Sequence, residues 1–260
     1  TGLMTILSRQ SVSDTFFWIV FYGLIAVSWL ILVAMAIDDF SSISTLIDAI
    51  CVSTTQATVW ELMGMWGLMM LAMMLPTFRA HARVHQDIRC KNQWPSHTLV
   101  LMLGFLLIWS MLVPIGALSQ KLFLNSGLVD PTGRTTSLVG NGLILLLAGG
   151  YQFSKLKRAC MVQCASPMHY FFKYWRDHHL GALQMGMHLG ALCVGCCWAL
   201  MAIAFVGGTM NVVWMAALTG LMIFDKQQYF HQQFSQFVGW TLIFAGGLTL
   251  LIAFTLEVVL

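Results

Sequence analysis

The feature that most limits what this chain can become is a succession of apolar runs, several of about 20 residues, each long enough for a helix to cross a bilayer. Of the 260 residues, 58% are hydrophobic and only 9% charged, against roughly 25% charged in an ordinary soluble domain. So few charges cannot cover a water-facing surface. In lipid the backbone must satisfy its own hydrogen bonds, which leaves helices or a closed barrel. Barrel strands read as alternating segments of about 10 residues, whereas these runs are longer and continuous. The expected fold class is therefore all-α: a polytopic membrane helix bundle of about seven transmembrane helices, forming one integral membrane domain over residues 1–260.

The candidate spans are Thr15–Ile37, Val59–Pro76, Thr98–Leu118, Leu138–Ser154, Leu180–Val206, Met210–Phe224 and Val238–Leu260. The sixth is short enough to be tilted or re-entrant. The apolar run from Phe16 to Ile37 exceeds the 7–15 residues of a signal-peptide core, so a retained span is expected. Ser41–Thr58, with Ile43, Leu46 and Ile50, reads as an amphipathic surface helix. Orientation follows from positive charge. With the N-terminus in the cytoplasm and the C-terminus outside, 11 of the 13 Lys and Arg fall inside, and only Lys121 and Arg134 outside. A bacterial inner (cytoplasmic) membrane is the expected location.

Soft donor atoms are concentrated in three places. Residues 187–198 read Met-His-Leu-Gly-Ala-Leu-Cys-Val-Gly-Cys-Cys-Trp. On a helix, Cys193, Cys196 and Cys197 fall at i, i+3 and i+4, on one side. Met185 lies about 20° and His188 about 80° around the axis from Cys196. About 20 Å of helix separates Cys193 from Leu180, which predicts a position near mid-bilayer. Thiolate and thioether donors select Cu(I); zinc also accepts thiolates and is the second expectation. The plainer alternative is packing: cysteine behaves as a small hydrophobe, and Gly181, Gly186, Gly190 and Gly195 would mark a close helix seam.

The second place is cytoplasmic in this topology. Cys160 and Cys164, at i and i+4, would bring two sulfurs together, with Lys157 and Arg158 nearby to favour thiolate; incidental or lipidated cysteines are the alternative. The third is methionine, of which there are 18. Met69, Met70, Met73 and Met74 crowd the second span, and with Met185 and Met210 they could offer a weak metal path, although methionine also packs freely in apolar surroundings. Asp225 and Lys226 read as the headgroup-exposed end of the sixth span. The seven cysteines are an odd number and mostly clustered, against a disulfide framework. No Walker A, HExxH or Ser-His-Asp arrangement can be assembled, and no chain of intramembrane acids points to a proton-driven pump. A carrier is expected rather than an enzyme.

From about Trp66 to Lys226 the chain resembles the predicted metal-binding integral membrane proteins, long a domain of unknown function. One branch of that family is linked to copper supply for tyrosinase and multicopper oxidases. The resemblance is carried by Met73-Met74-Leu75-Pro76, by Gln152-x-Ser154-x-Leu-Lys157 leading to Cys160-x3-Cys164-x2-Pro167, by Gly190-x2-Cys193-x-Gly195-Cys196-Cys197-Trp198-x-Leu200-Met201, and by Met210-Asn211-x2-Trp214-Met215-Ala216. Two positions depart from the family pattern: Asp225 stands where glutamate is usual, and Ala165 where a basic residue is usual. The resemblance implies a copper-chaperone or copper-insertion role.

The combined expectation is a copper-binding membrane protein that delivers Cu(I) to a copper-dependent enzyme or membrane complex, an assembly factor without affinity for nucleic acid. Cys160 and Cys164 would collect the ion; His188, Cys193, Cys196 and Cys197 would hold it. Two other classes remain: a structural or assembly subunit of a larger membrane enzyme with incidental metal, and a thiol–disulfide oxidoreductase.

Overall fold

The computed structural model describes residues 2–36, 58–88, 96–226 and 231–259. These residues form helices α1 (Gly2–Ala36), α2 (Val59–Ile88), α3 (Ser96–Asn125), α4 (Leu138–Gln152), α5 (Lys155–Ala165), α6 (Pro167–Tyr174), α7 (His179–Ala202), α8 (Ala204–Gly207), α9 (Val212–Asp225) and α10 (His231–Val259). Among the described residues, β-structure is limited to an isolated bridge between Val129 and Thr135. Among the described residues, five helical segments are long and apolar enough to cross a membrane: Asp14–Ala36, Val59–Ile88, His97–Asn125, His179–Gly207 and Gln232–Leu256. The other two expected spans form helices of only 15 and 14 residues, α4 and α9, about 21 Å each at helical rise. The amphipathic segment expected at Ser41–Thr58 lies almost wholly outside the described residues.

Side-chain contacts fix the directions. Trp18 of α1 donates to Gln86 of α2 (3.0 Å), and Trp29 donates to the Ala72 carbonyl (3.1 Å), so the two helices run antiparallel. The second bond explains a departure from expectation. The span ending at Pro76 continues unbroken to Ile88. A proline lacks the N–H that would satisfy the carbonyl four residues earlier, here that of Ala72. The Trp29 indole supplies the missing donor.

α2 and α3 are also antiparallel, with Trp66 donating to Gln120 (2.7 Å) at one end and the His85 ring meeting Thr98 (3.1 Å) near the other. α3 and α7 run parallel along a seam of glycines: Leu101 meets Gly186, and Phe105 and Ile108 meet Gly190. α4 lies antiparallel to α10, with Gly142 against Gly246 and Gly149 against Gly239. Small residues let backbones approach where lipid offers no hydrophobic drive to association.

α4, α5 and α6 are a broken path. α4 stops at Gln152, and Ser154 accepts a hydrogen bond from the Lys157 amide (3.0 Å) to cap α5. Pro167 sits in the first turn of α6, where its missing N–H costs nothing. α5 and α6 then descend antiparallel along α7. Cys160 faces Gly195, and Tyr170 donates to the Met185 carbonyl (2.7 Å). At the far end, the loop before α4 is tied by Asp130, which accepts from the Thr132 and Arg134 amides at 2.9 Å each. Burial pushes the Asp130 carboxyl up, but hydrogen bonds from Thr132 and Arg134 outweigh it and hold the carboxyl below its usual range.

The α3–α7 seam yields a direct prediction. A Cβ on Gly186 would stand 2.0 Å from the Leu101 carbonyl oxygen, whereas one on Gly67 would meet nothing within 4 Å. Gly186→Ala should cost about 1–3 kcal/mol through overpacking and lower the thermal midpoint in detergent; Gly67→Ala should hold or raise it.

Candidate metal centre

α7 places its cysteines by helical periodicity. Gly181, Ala182, Met185, Gly186, Leu189, Gly190, Cys193, Cys196, Cys197 and Leu200 form one buried stripe. The sulfurs of Cys193, Cys196 and Cys197 all lie within 4.8 Å of one another; those of Cys193 and Cys197 are 3.7 Å apart. Cys196 and Cys197 both turn back on the Cys193 carbonyl, at 3.1 and 2.7 Å.

α5 brings the other pair to the same place. Its buried residues, Lys157, Cys160, Met161, Cys164 and Ala165, follow i, i+3, i+4, i+7 and i+8, the stripe of an amphipathic helix. Cys164 is in side-chain contact with Cys196. The Cys160 sulfur lies only 2.7 Å from where a Cβ on Gly195 would stand, so the absent side chain admits that cysteine. Tyr151, at the end of α4, donates to the Gly195 carbonyl. The two clusters that are separate in sequence are therefore one set of buried thiols. All five cysteines are free.

The cations do not stand where sequence reasoning put them. Lys157 turns from the sulfurs and pairs with Asp225 Oδ2 at 2.6 Å, both side chains fully enclosed. It also donates to Gln152 Oε1, which takes a second bond from Ser235 at 3.1 Å. Arg158 is exposed. It is Lys226 that reaches the thiols, its ammonium donating to Cys193 Sγ at 3.0 Å. The expected headgroup-facing end of the sixth span is thus an interior feature: α9 ends by inserting Asp225 and Lys226 beside α5 and α7.

His188 lies with two tyrosines. Its Nδ1 is 3.2 Å from the Tyr170 hydroxyl, and its ring centroid is 4.6 Å from that of Tyr174. The Tyr170 proton is committed to the Met185 carbonyl, so His188 Nδ1 is the donor of that pair. His188 is outside the group of converging sulfurs. Met69, Met70, Met73, Met74 and Met185 are buried in the core, while Met210 is only partly enclosed.

The residue that sequence reasoning missed is His81. It is 3% exposed, and its Nε2 has no hydrogen-bond partner. With Cys164, Cys193 and Lys226 it lines a cleft of about 10 Å³. The available signal was the buried face of α2 beyond Pro76, where His81 and His85 recur at i and i+4 while Arg79 and Arg83 point outward.

The Lys157–Asp225 pair is predicted to hold this arrangement. Lys157→Met alone leaves a buried carboxylate uncompensated and should cost about 3–5 kcal/mol. Adding Asp225→Leu should recover most of that loss in denaturant unfolding in detergent.

Residues 63–249 match a family of copper chaperones, PpoB2. No curated protein and no solved structure matches the chain. The copper-chaperone match and the buried Cys193, Cys196 and Cys197 group together point to metal binding.

Proposed function

The chain belongs to the PpoB2 family of copper chaperones, and we propose that it is a membrane-embedded carrier that holds Cu(I) between α5 and α7 and hands it to a copper-dependent enzyme. The observation that carries this reading is the convergence of buried Cys164 from α5 with buried Cys193, Cys196 and Cys197 from α7. Soft sulfur donors in a site without carboxylates favour Cu(I) over harder ions, and over zinc wherever fewer than four ligands are engaged. Two thiolates around a monovalent ion leave one negative charge, and the Lys226 ammonium supplies the balancing positive charge. Cys160, one turn before Cys164, gives a further sulfur for ligand exchange as the ion enters or leaves.

The carrier sits in the inner membrane with its N-terminus in the cytoplasm. Exposed Arg79, Arg83, Lys155, Arg158, Lys173 and Arg176 gather at the end of the bundle that holds the thiols, in keeping with the positive-inside rule. The centre then lies just within the cytoplasmic boundary. α4 and α9, each about 21 Å long, reach from the opposite end to the level of the thiols and complete a seven-crossing bundle with the five longer helices. The buried methionines of α2 give weaker thioether sites leading away from the centre.

Metal analysis of detergent-purified, anaerobic protein tests the reading. Near-stoichiometric copper is expected in the wild type, with none in a variant carrying serine at Cys160, Cys164, Cys193, Cys196 and Cys197. Zinc in place of copper, or a wild type that stays metal-free after Cu(I) loading, would overturn it.

A further inference from the structure

A cysteine cluster alone would make an all-sulfur site, but a nitrogen donor faces the same cleft. His81 projects from α2, a helix that contributes no cysteine to the cluster, into a space bounded by Cys164, Cys193 and Lys226 and closed by Phe78 and Phe105. At about 10 Å³, that space has room for one water-sized occupant and no more. The imidazole is buried, yet its Nε2 has no hydrogen-bond partner. An unsatisfied buried polar atom is costly, so its retention calls for a reason. The ring also bonds the backbone of Gln163, the residue before Cys164. Since Nε2 is the unpartnered nitrogen, Nδ1–H is the donor to that carbonyl. Metal-binding histidines are held in this way: one nitrogen donates to a backbone carbonyl, which fixes the tautomer and leaves the other lone pair free.

We infer that His81, through Nε2, is a ligand for the transported ion together with Cys164 and Cys193, so that the centre is a mixed nitrogen–sulfur site spanning α2, α5 and α7. This inference rests on the copper-carrier reading and specifies its ligand set. Packing alone would serve as well with an apolar residue at position 81, and would leave no unpartnered nitrogen on a helix that lines one cleft with Cys164 and Cys193. His188 stands beside Tyr170 and Tyr174 and does not line the cleft that His81 shares with Cys164 and Cys193. The Lys226 ammonium shares the cleft and touches Cys193; an ion held by Cys193 displaces that hydrogen bond while keeping the charge close. A mixed donor set also suits a carrier. Each ligand can be exchanged in turn, and the next soft donors on the α2 side are Met73 and Met74, about two turns before His81.

X-ray absorption at the copper edge of the Cu(I)-loaded full chain, purified in detergent, is the test. The wild type should show sulfur scatterers together with the multiple-scattering pattern of one imidazole. His81→Met and His81→Ala should lose the imidazole pattern while keeping sulfur, and His188→Ala should retain it. Sulfur-only scattering in the wild type, or an imidazole pattern that survives both substitutions at His81, would overturn the inference and leave the carrier reading standing. Should the His81 variants fail to fold, the wild-type and His188→Ala spectra still decide: an imidazole lost with His188 contradicts it. Absence of bound copper in the wild type would instead remove the carrier reading itself.

Discussion

The buried ion pair between Lys157 and Asp225, 2.6 Å long, is the constraint on which the functional half of the molecule depends. Taking both charges out of water costs several kcal/mol per ion, repaid only by close geometry and further hydrogen bonds. Gln152 provides one of these to Lys157, and Ser235 holds Gln152 in turn. The pair therefore ties together the end of α4, the start of α5, the end of α9 and the start of α10. Two consequences follow. α4 cannot simply continue as a longer straight helix, because its path must turn to seat Lys157. And with Asp225 fixed, the next residue, Lys226, is delivered to Cys193.

The charge arrangement separates two cations with different tasks. Lys157 is spent on structure and Lys226 is left for the thiols. Neighbouring α5 and α7 meet where Gly195 lacks a side chain, which lets Cys160 and Cys164 approach Cys196. The α3–α7 glycine seam continues the same buried stripe of α7 in the turns before the cysteines, so the stripe has little freedom to rotate away. The enclosure of the thiols comes from ordinary helix packing.

Much of this was legible in the sequence. Long apolar runs led to an all-helical fold, and five of the expected spans are helices of crossing length. The periodicity of Cys193, Cys196 and Cys197 led to one buried face, and the family resemblance agrees with the match over residues 63–249. What was hidden came from long-range contacts. Spacing within one helix cannot reveal that α5 folds back on α7, so the two cysteine groups read as separate stations. His188 is near the cysteines in sequence and stands beside Tyr170; His81 is remote in sequence but lines one cleft with Cys164 and Cys193. Asp225 and Lys226 look like the end of a span from their charge, because hydropathy cannot register a partner 68 residues away at Lys157. Pro76 looked like a terminator only while the Trp29 indole, on another helix, was unknown.

The central claim is that the cysteines of α5 and α7 form one centre. Titration of Cu(I) against a competing chelator, with the wild type, a Cys160→Ser/Cys164→Ser chain and a Cys193→Ser/Cys196→Ser chain, tests it most directly. A single centre predicts one tightly held equivalent in the wild type and weakened binding in both variants. Two tight equivalents in the wild type, with one retained by each variant, would contradict it.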